Sequence, residues 1–144
     1  MIVEADVIKK LLDDGVIVIA AGGGGMPVVE KEGWGLDGRE AVVDKDLSAE
    51  RLAEAIDADV LLILTDVPYV YLNYGSEDQE PLREINLERI KKFYEDGHFP
   101  AGSMGPKVLA AIRFLESGGE RAIIADIDHA WEALKGETGT HITK

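Results

Sequence analysis

LSAERLAEAIDADVLLILTD, residues 47–66, decides the fold class. Residues 47–58 space their apolar side chains along one face of a helix, and Val60–Leu64 follow as an uninterrupted apolar run. A run that is apolar on both sides fits a strand covered by helices above and below, the usual setting of parallel sheets. Helix followed by doubly covered strand is the unit from which α/β layers are built.

The unit recurs in both directions. Downstream, PKVLAAIRFLESGG (106–119) reads as a helix with proline at its start and glycine at its end, and RAIIAD (121–126) is the apolar strand after it. Upstream, Val3, Val7, Ile8, Leu11 and Leu12 stand at helical spacing, Gly15 ends that helix, and GVIVIAA (15–21) is predicted as another buried strand. YVYLNYG (69–75) alternates like a hairpin strand, and NLERIKKFYEDG (86–97) is a helix closed by Gly97. DHAWEALKG (128–136) reads as a short helix and GTHIT (139–143) as a final strand. The expectation is one α/β domain over residues 1–144 with a largely parallel sheet and no internal repeat.

Composition narrows the function. A hydrophobic content of 46% with 30% charged residues is that of a chain that folds around a core. A net charge of −13 argues against a nucleic-acid surface, which needs clustered Lys and Arg. No apolar run is long enough to span a bilayer and the start lacks a signal-peptide plan, so the expected partners exclude membrane and the expected location is the cytoplasm. The absence of cysteine removes disulfides, thiolate metal sites and thiol catalysis. His98, His129 and His141 show no metal-ligand spacing, so no metal-binding residue is assigned.

In parallel α/β sheets ligands gather beyond the carboxyl ends of the strands. Three segments fall there. AAGGGGMP (20–27) follows the predicted first strand, and Gly22, Gly23, Gly24 and Gly25 would let an oxyanion approach their N–H groups; tight packing against another element is the competing reading. The run matches neither the Walker nor the G-x-G-x-x-G pattern. Thr65 and Asp66 stand where the central strand runs out, a position equally suited to a turn or cap. FPAGSMGPK (99–107) bares the backbone at Gly102 and Gly105, offers Ser103 as a cap, and sets Lys107 in the first turn of a helix. A cation there opposes the helix dipole unless an anion is present, which makes Lys107 a candidate phosphate ligand. In AVVDKDLSAE (41–50), Asp44 or Asp46 could cap the helix, and Lys45 is held between them, its charge assured for neutralising a transferred phosphoryl group. Two lysines and a glycine loop at one sheet edge point to phosphoryl transfer or phosphate-ligand binding.

VIVIAAGGGGMPVV, EAVVDKDLSAERLAEAIDADVLLILTDV and EDGHFPAGSMGPKVLAAIRFLESGGERAII closely resemble the carbamate kinases of the amino acid kinase superfamily, and the GTHI ending is similar too. The resemblance implies a three-layer α/β sandwich and reversible phosphoryl transfer between ATP and carbamate, giving ADP and carbamoyl phosphate with magnesium. It assigns catalysis to Lys45, Asp46 and Lys107, with Asp46 holding the lysines. It places Thr65, Asp66, Gly102, Ser103, Met104, Gly105 and Lys107 at the nucleotide, and Gly22–Gly25 near the acceptor. It covers only the C-terminal, nucleotide-binding lobe. The N-terminal lobe would supply another phosphate loop, a further lysine and most of the site for carbamate or carbamoyl phosphate. A nucleotide-binding module without turnover is the alternative, and a homodimer is left open. VPYVY (67–71) departs from the small turn residues expected after Thr-Asp.

Overall fold

The computed structural model describes residues 1–144. In chain order the elements are α1 (Ala5–Asp13), β1 (Val28–Lys31), β2 (Gly35–Gly38), α2 (Lys45–Ala55), β3 (Val60–Thr65), β4 (Val70–Leu72), β5 (Glu80–Leu82), β6 (Glu84–Asn86), α3 (Leu87–Glu95), α4 (Met104–Glu116), β7 (Arg121–Asp126), α5 (Ala130–Lys135) and β8 (Thr140–Thr143).

The main sheet has the order β3-β7-β8-β6. β3 and β7 run parallel in register from Val60 opposite Arg121 to Thr65 opposite Asp126; β6 and β8 are also parallel, while β7 and β8 are antiparallel. The alternation of the central strands sorts their side chains between two layers. Leu61 and Ile63, with Ala122 and Ile124, join the larger core beneath α2, α3 and α4. On the other face Val60, Leu62 and Leu64 pack around Ile123, Ala125 and Ala133 of α5. The result is the three-layer sandwich expected, with a sheet that is mixed at β8.

Helix α4 lies at the centre of the larger layer. Val108, Ala110, Ala111, Ile112, Phe114 and Leu115 are all buried, so this helix is apolar nearly all round, as a helix enclosed by neighbours must be. Helix α2 begins at Lys45, two residues before the amphipathic run, because the Asp44 carboxylate accepts from the N–H groups of Asp46 and Leu47. That settles the choice of cap: Asp44 caps, and Asp46 is free for other work. Helix α4 likewise starts at Met104, before Pro106, and Ser103 makes no side-chain cap bond there, contrary to expectation.

One predicted strand does not form. Val16–Ala21 joins no ladder, and Ile17 and Ile19 are 93% and 98% exposed. An apolar run becomes a buried strand only when flanking strands take up its backbone groups and helices cover both faces, and the described residues supply neither. Four strands went unpredicted. β1 and β2 form a hairpin too short and polar to show a clear period, and β5 and β6 are three residues each, β5 pairing with β4 and β6 with β8.

Candidate functional site

At the carboxyl edge of β3 the structure has a cavity of about 330 Å³. It is lined by Thr65, Asp66 and Val67 at the end of the strand, by Tyr71 and Tyr74, and by Phe99, Pro100, Ser103 and Met104, with Lys107 among its lining residues. The segment Phe99–Ser103 is shaped by one carbonyl: Pro100 O accepts from Ser103 N at 3.3 Å and from Gly105 N at 2.8 Å. A Cβ on Gly105 would lie 2.8 Å from that same oxygen. Gly105 is therefore required for close packing and its N–H is engaged, whereas Gly102 is exposed; neither glycine is among the residues that line the cavity.

Lys107 is the best defined of the predicted site residues. It is only 8% exposed, and its ammonium donates to Asp46 Oδ2 at 2.8 Å. Lys45 Nζ donates to the same oxygen at 3.2 Å from an exposed position. Two ammonium groups thus converge on one carboxylate, and the Asp44 carboxylate at the same helix start also acts on Lys45. The hydrogen bond and charge of Asp46 raise the Lys45 pKa above its ordinary value, so this lysine stays charged. The dipole alone made Lys107 mildly unfavourable; Asp46 offsets that in the empty protein.

The glycine run is set against the same corner. Ser48 Oγ donates to Gly24 O at 2.6 Å, tying the loop to the first turns of α2. Gly24 has φ +134° and a Cβ there would lie 2.1 Å from Val43 O, so this glycine is demanded by packing. Gly23 and Gly25 are exposed, and open space surrounds the positions their Cβ atoms would take. Gly22–Gly25 therefore adjoin the Lys45–Asp46 turn but line a different space from the cavity.

The structure brings Thr65, Asp66, Ser103, Met104 and Lys107 to one cavity; Lys45 and Asp46 do not line it but are joined to it through Lys107. The aromatic wall was missed. Tyr71 and Tyr74 have ring centroids 5.7 Å apart, and Tyr69 meets Tyr71 edge-on at 6.2 Å. The signal was present in the alternation of β4, where Val70 and Leu72 are buried and Tyr71 must face the other way. The buried Glu50 was missed as well. It lies one helical turn beyond Asp46, is 1% exposed, and its Oε2 has no hydrogen-bond partner; burial pushes its pKa above the usual carboxylate range. No cluster of three His, Asp or Glu side chains is placed to hold a metal.

The fold is an α/β sandwich with two lysines gathered on one carboxylate beside a cavity, and comparison with known proteins makes the class specific. The amino acid kinase family model matches residues 2–126, and the chain belongs to that family. It is 60% identical over 140 residues to carbamate kinase of Pyrococcus furiosus, covering 97% of this chain and 44% of the relative. To carbamate kinase of Thermococcus kodakarensis it is 56% identical over 142 residues, covering 99% of this chain and 45% of the relative. Among solved structures, carbamate kinase from Giardia lamblia bound to AMP-PNP superposes with a TM-score of 0.96 at 46% identity, over 100% of this chain and 50% of that one. The chain spans about half the length of the relatives it matches.

Proposed function

We propose that this chain is the nucleotide-holding half of a carbamate-kinase-type phosphotransferase, which moves a phosphoryl group reversibly between ATP and carbamate. The observation that carries the proposal is the convergence of Lys107 and Lys45 on Asp46 beside a cavity that Lys107, Tyr71 and Tyr74 line. A purine stacks on a tyrosine face and a phosphate chain seeks ammonium groups and helix N–H groups, and the lining includes both tyrosines and Lys107. In this reading the base rests between Tyr71, Tyr74 and Met104, and the phosphates run past Ser103 to Lys107.

The chemistry follows from charge. As the γ-phosphoryl group leaves the β-phosphate oxygen and bonds to a carbamate oxygen, negative charge spreads over the transferred oxygens and the leaving group. Lys107, fixed by Asp46, neutralises the nucleotide side; Lys45, exposed and aimed by the same carboxylate, reaches toward the transferred group. Asp46 holds both ammonium groups so that little reorganisation is needed as charge develops. The free N–H groups around Gly23 and Gly25 suit the acceptor side. The residues present do not make a protein-held magnesium site, so magnesium enters only as a companion of the nucleotide phosphates, and no step is assigned to it.

Two assays test the proposal. Titration calorimetry with ADP on the folded chain should show binding that Lys107→Ala weakens. ATP formation from ADP and carbamoyl phosphate should appear when the N-terminal part of a carbamate kinase is supplied. A folded chain that binds no ADP at millimolar concentration contradicts the assignment of the cavity.

A further inference from the structure

The two tyrosines of the nucleotide cavity belong to a longer row. Tyr69 and Tyr71 stand two residues apart where β4 begins, so they share one face of the strand, while Val70 and Leu72 are buried on the other. Tyr71 and Tyr74 line the cavity and Tyr69 does not. Tyr69 lines instead a second cleft of about 320 Å³, together with Arg83, Glu84, Glu137, Thr138 and His141. Arg83 forms no ion pair, although Glu84 and Glu137 line the same cleft and the chain carries 28 acidic residues. Its guanidinium lies over the Tyr69 ring, 4.8 Å from the centroid, and its Nη1 donates to the Tyr69 hydroxyl at 3.1 Å. Strand register brings the two together. β4 and β5 pair antiparallel with Tyr71 opposite Pro81 and Val70 opposite Leu82, and one further step sets Tyr69 opposite Arg83. Opposed residues on one face of an antiparallel pair are those whose side chains meet.

The contact is passed on to the cavity ring by ring. Tyr69 meets Tyr71 edge-on, with centroids 6.2 Å apart and planes at 82°, and Tyr71 meets Tyr74 at 5.7 Å and 47°. An edge-to-face pair fixes the tilt of both rings, because the positive edge of one must point at the negative face of the other. Tyr71 is only half-buried and Tyr74 is 64% exposed, so packing by itself leaves both rings free to turn. Arg83 holds Tyr69 by its face and its hydroxyl at once, and Thr138 Oγ1 donates to the same hydroxyl oxygen at 3.5 Å. The row is thus anchored at the end remote from the cavity.

We propose that Arg83 is a positioning residue for base recognition: by holding Tyr69 it sets the tilt of Tyr71, and with it the preference of the cavity for a purine over a pyrimidine nucleotide. The proposal rests on the reading that a nucleotide base occupies the cavity. Arg83 is not among the residues that line the cavity, so it acts through the tyrosines and not on the nucleotide. Stacking grows with the area of overlap, so a two-ring base gains more from a correctly tilted ring than a one-ring base does. Lysine is a poor substitute at this position, because a compact ammonium over the ring lacks the planar fork that also reaches the hydroxyl.

Calorimetric titration of ADP and of UDP into the full chain tests this. The two ligands carry the same charge, so the loss of a nearby cation cancels in the ratio of their affinities and the base contribution remains. The parent chain should bind ADP about tenfold or more tighter than UDP. In Arg83→Met that ratio should fall by about threefold to fivefold, the worth of an exposed cation–π contact. Arg83→Gln should fall as far, and stands in should Arg83→Met not fold; Arg83→Lys, with the cation restored but not the fork, should lie between these and the parent. Tyr69→Leu should lower the ratio as Arg83→Met does, and the double variant should be no lower than Tyr69→Leu alone, since two residues in one chain of contacts are not additive. A parent-like ratio in folded Arg83→Met and Arg83→Gln overturns the proposal. So does a further fall in the double variant, which would give Arg83 a contact of its own with the nucleotide, and so does equal affinity of the parent for ADP and UDP. Absence of ADP binding by the parent is a different result: it overturns the nucleotide reading of the cavity, and this proposal with it.

Discussion

At Asp46 one carboxylate does two jobs, and substitutions around it separate them. Lys107→Ala removes a buried ammonium and leaves Asp46 with Lys45 alone. Breaking a buried pair costs about 3–5 kcal/mol when the survivor is left unpaired, and Lys45 should hold the loss below that range. The variant is therefore expected to melt lower in calorimetry and to bind ADP more weakly by about tenfold to a hundredfold, the worth of a charge-assisted bond. A dipole argument alone gives the opposite sign for stability, so the melting temperature distinguishes the two accounts. Glu50 supplies a second test. Its folded-state pKa is raised, so the folded protein holds a proton that the unfolded chain has already released. Stability is accordingly lost as pH rises from the unfolded carboxylate range through the folded pKa. Glu50→Met should stabilise by on the order of 1–3 kcal/mol at pH 7, the cost of an unsatisfied buried polar group, and by less near pH 4. Denaturant melts at the two pH values check this. Gly24→Ala should fail in the other direction, because its Cβ would overlap the Val43 carbonyl.

Among the elements, the β4–β5 hairpin that carries the aromatic wall is fastened by one hydroxyl. Thr140 of β8 is fully buried, accepts from Val70 N at 2.8 Å and donates to Leu82 O. Thr140→Val keeps the shape but orphans the Val70 N–H, and should cost about 1–3 kcal/mol in denaturant unfolding. Looser placement of Tyr71 should weaken ADP binding in the same variant. The contrast between this hairpin and β3 shows what was legible in the sequence. β3, β7, α3 and α4 announce themselves by period and by their glycine and proline ends, since one buried face or a full apolar run leaves an unmistakable pattern. Lys45, Asp46, Thr65 and Lys107 could be picked out because glycine, a cap or a strand end marks each position. The Thr140 link, the buried Glu50 and the Tyr71–Tyr74 wall depend on which elements meet in space, and no local pattern encodes that. Val16–Ala21 failed for a related reason: its composition specifies a strand, but strand formation is a property of the neighbours.

For the molecule as a whole, the two ends of the proposed site differ in how firmly they are built. The nucleotide end of the proposed site is built from α2, β3, β4 and α4, which pack against one another through the larger core. The acceptor end has only the glycine loop at the margin of an exposed apolar segment. Phosphoryl transfer depends on holding donor and acceptor in line and away from water. The chain alone is therefore expected to make ATP from ADP and carbamoyl phosphate several orders of magnitude more slowly than the same chain joined to an N-terminal lobe, since a single missing electrostatic donor costs about a hundredfold to a thousandfold. A coupled assay for ATP on the two proteins checks this.

The central claim is that Lys107, Lys45 and Asp46 close the phosphate end of a nucleotide cavity. Its most direct measurement is calorimetric titration of ADP and of adenosine into the folded chain and into Lys107→Ala. The account predicts that ADP binds the chain well above adenosine and that Lys107→Ala erases most of that difference. Equal affinity for ADP and adenosine, or an ADP affinity untouched by Lys107→Ala in a folded variant, would contradict it.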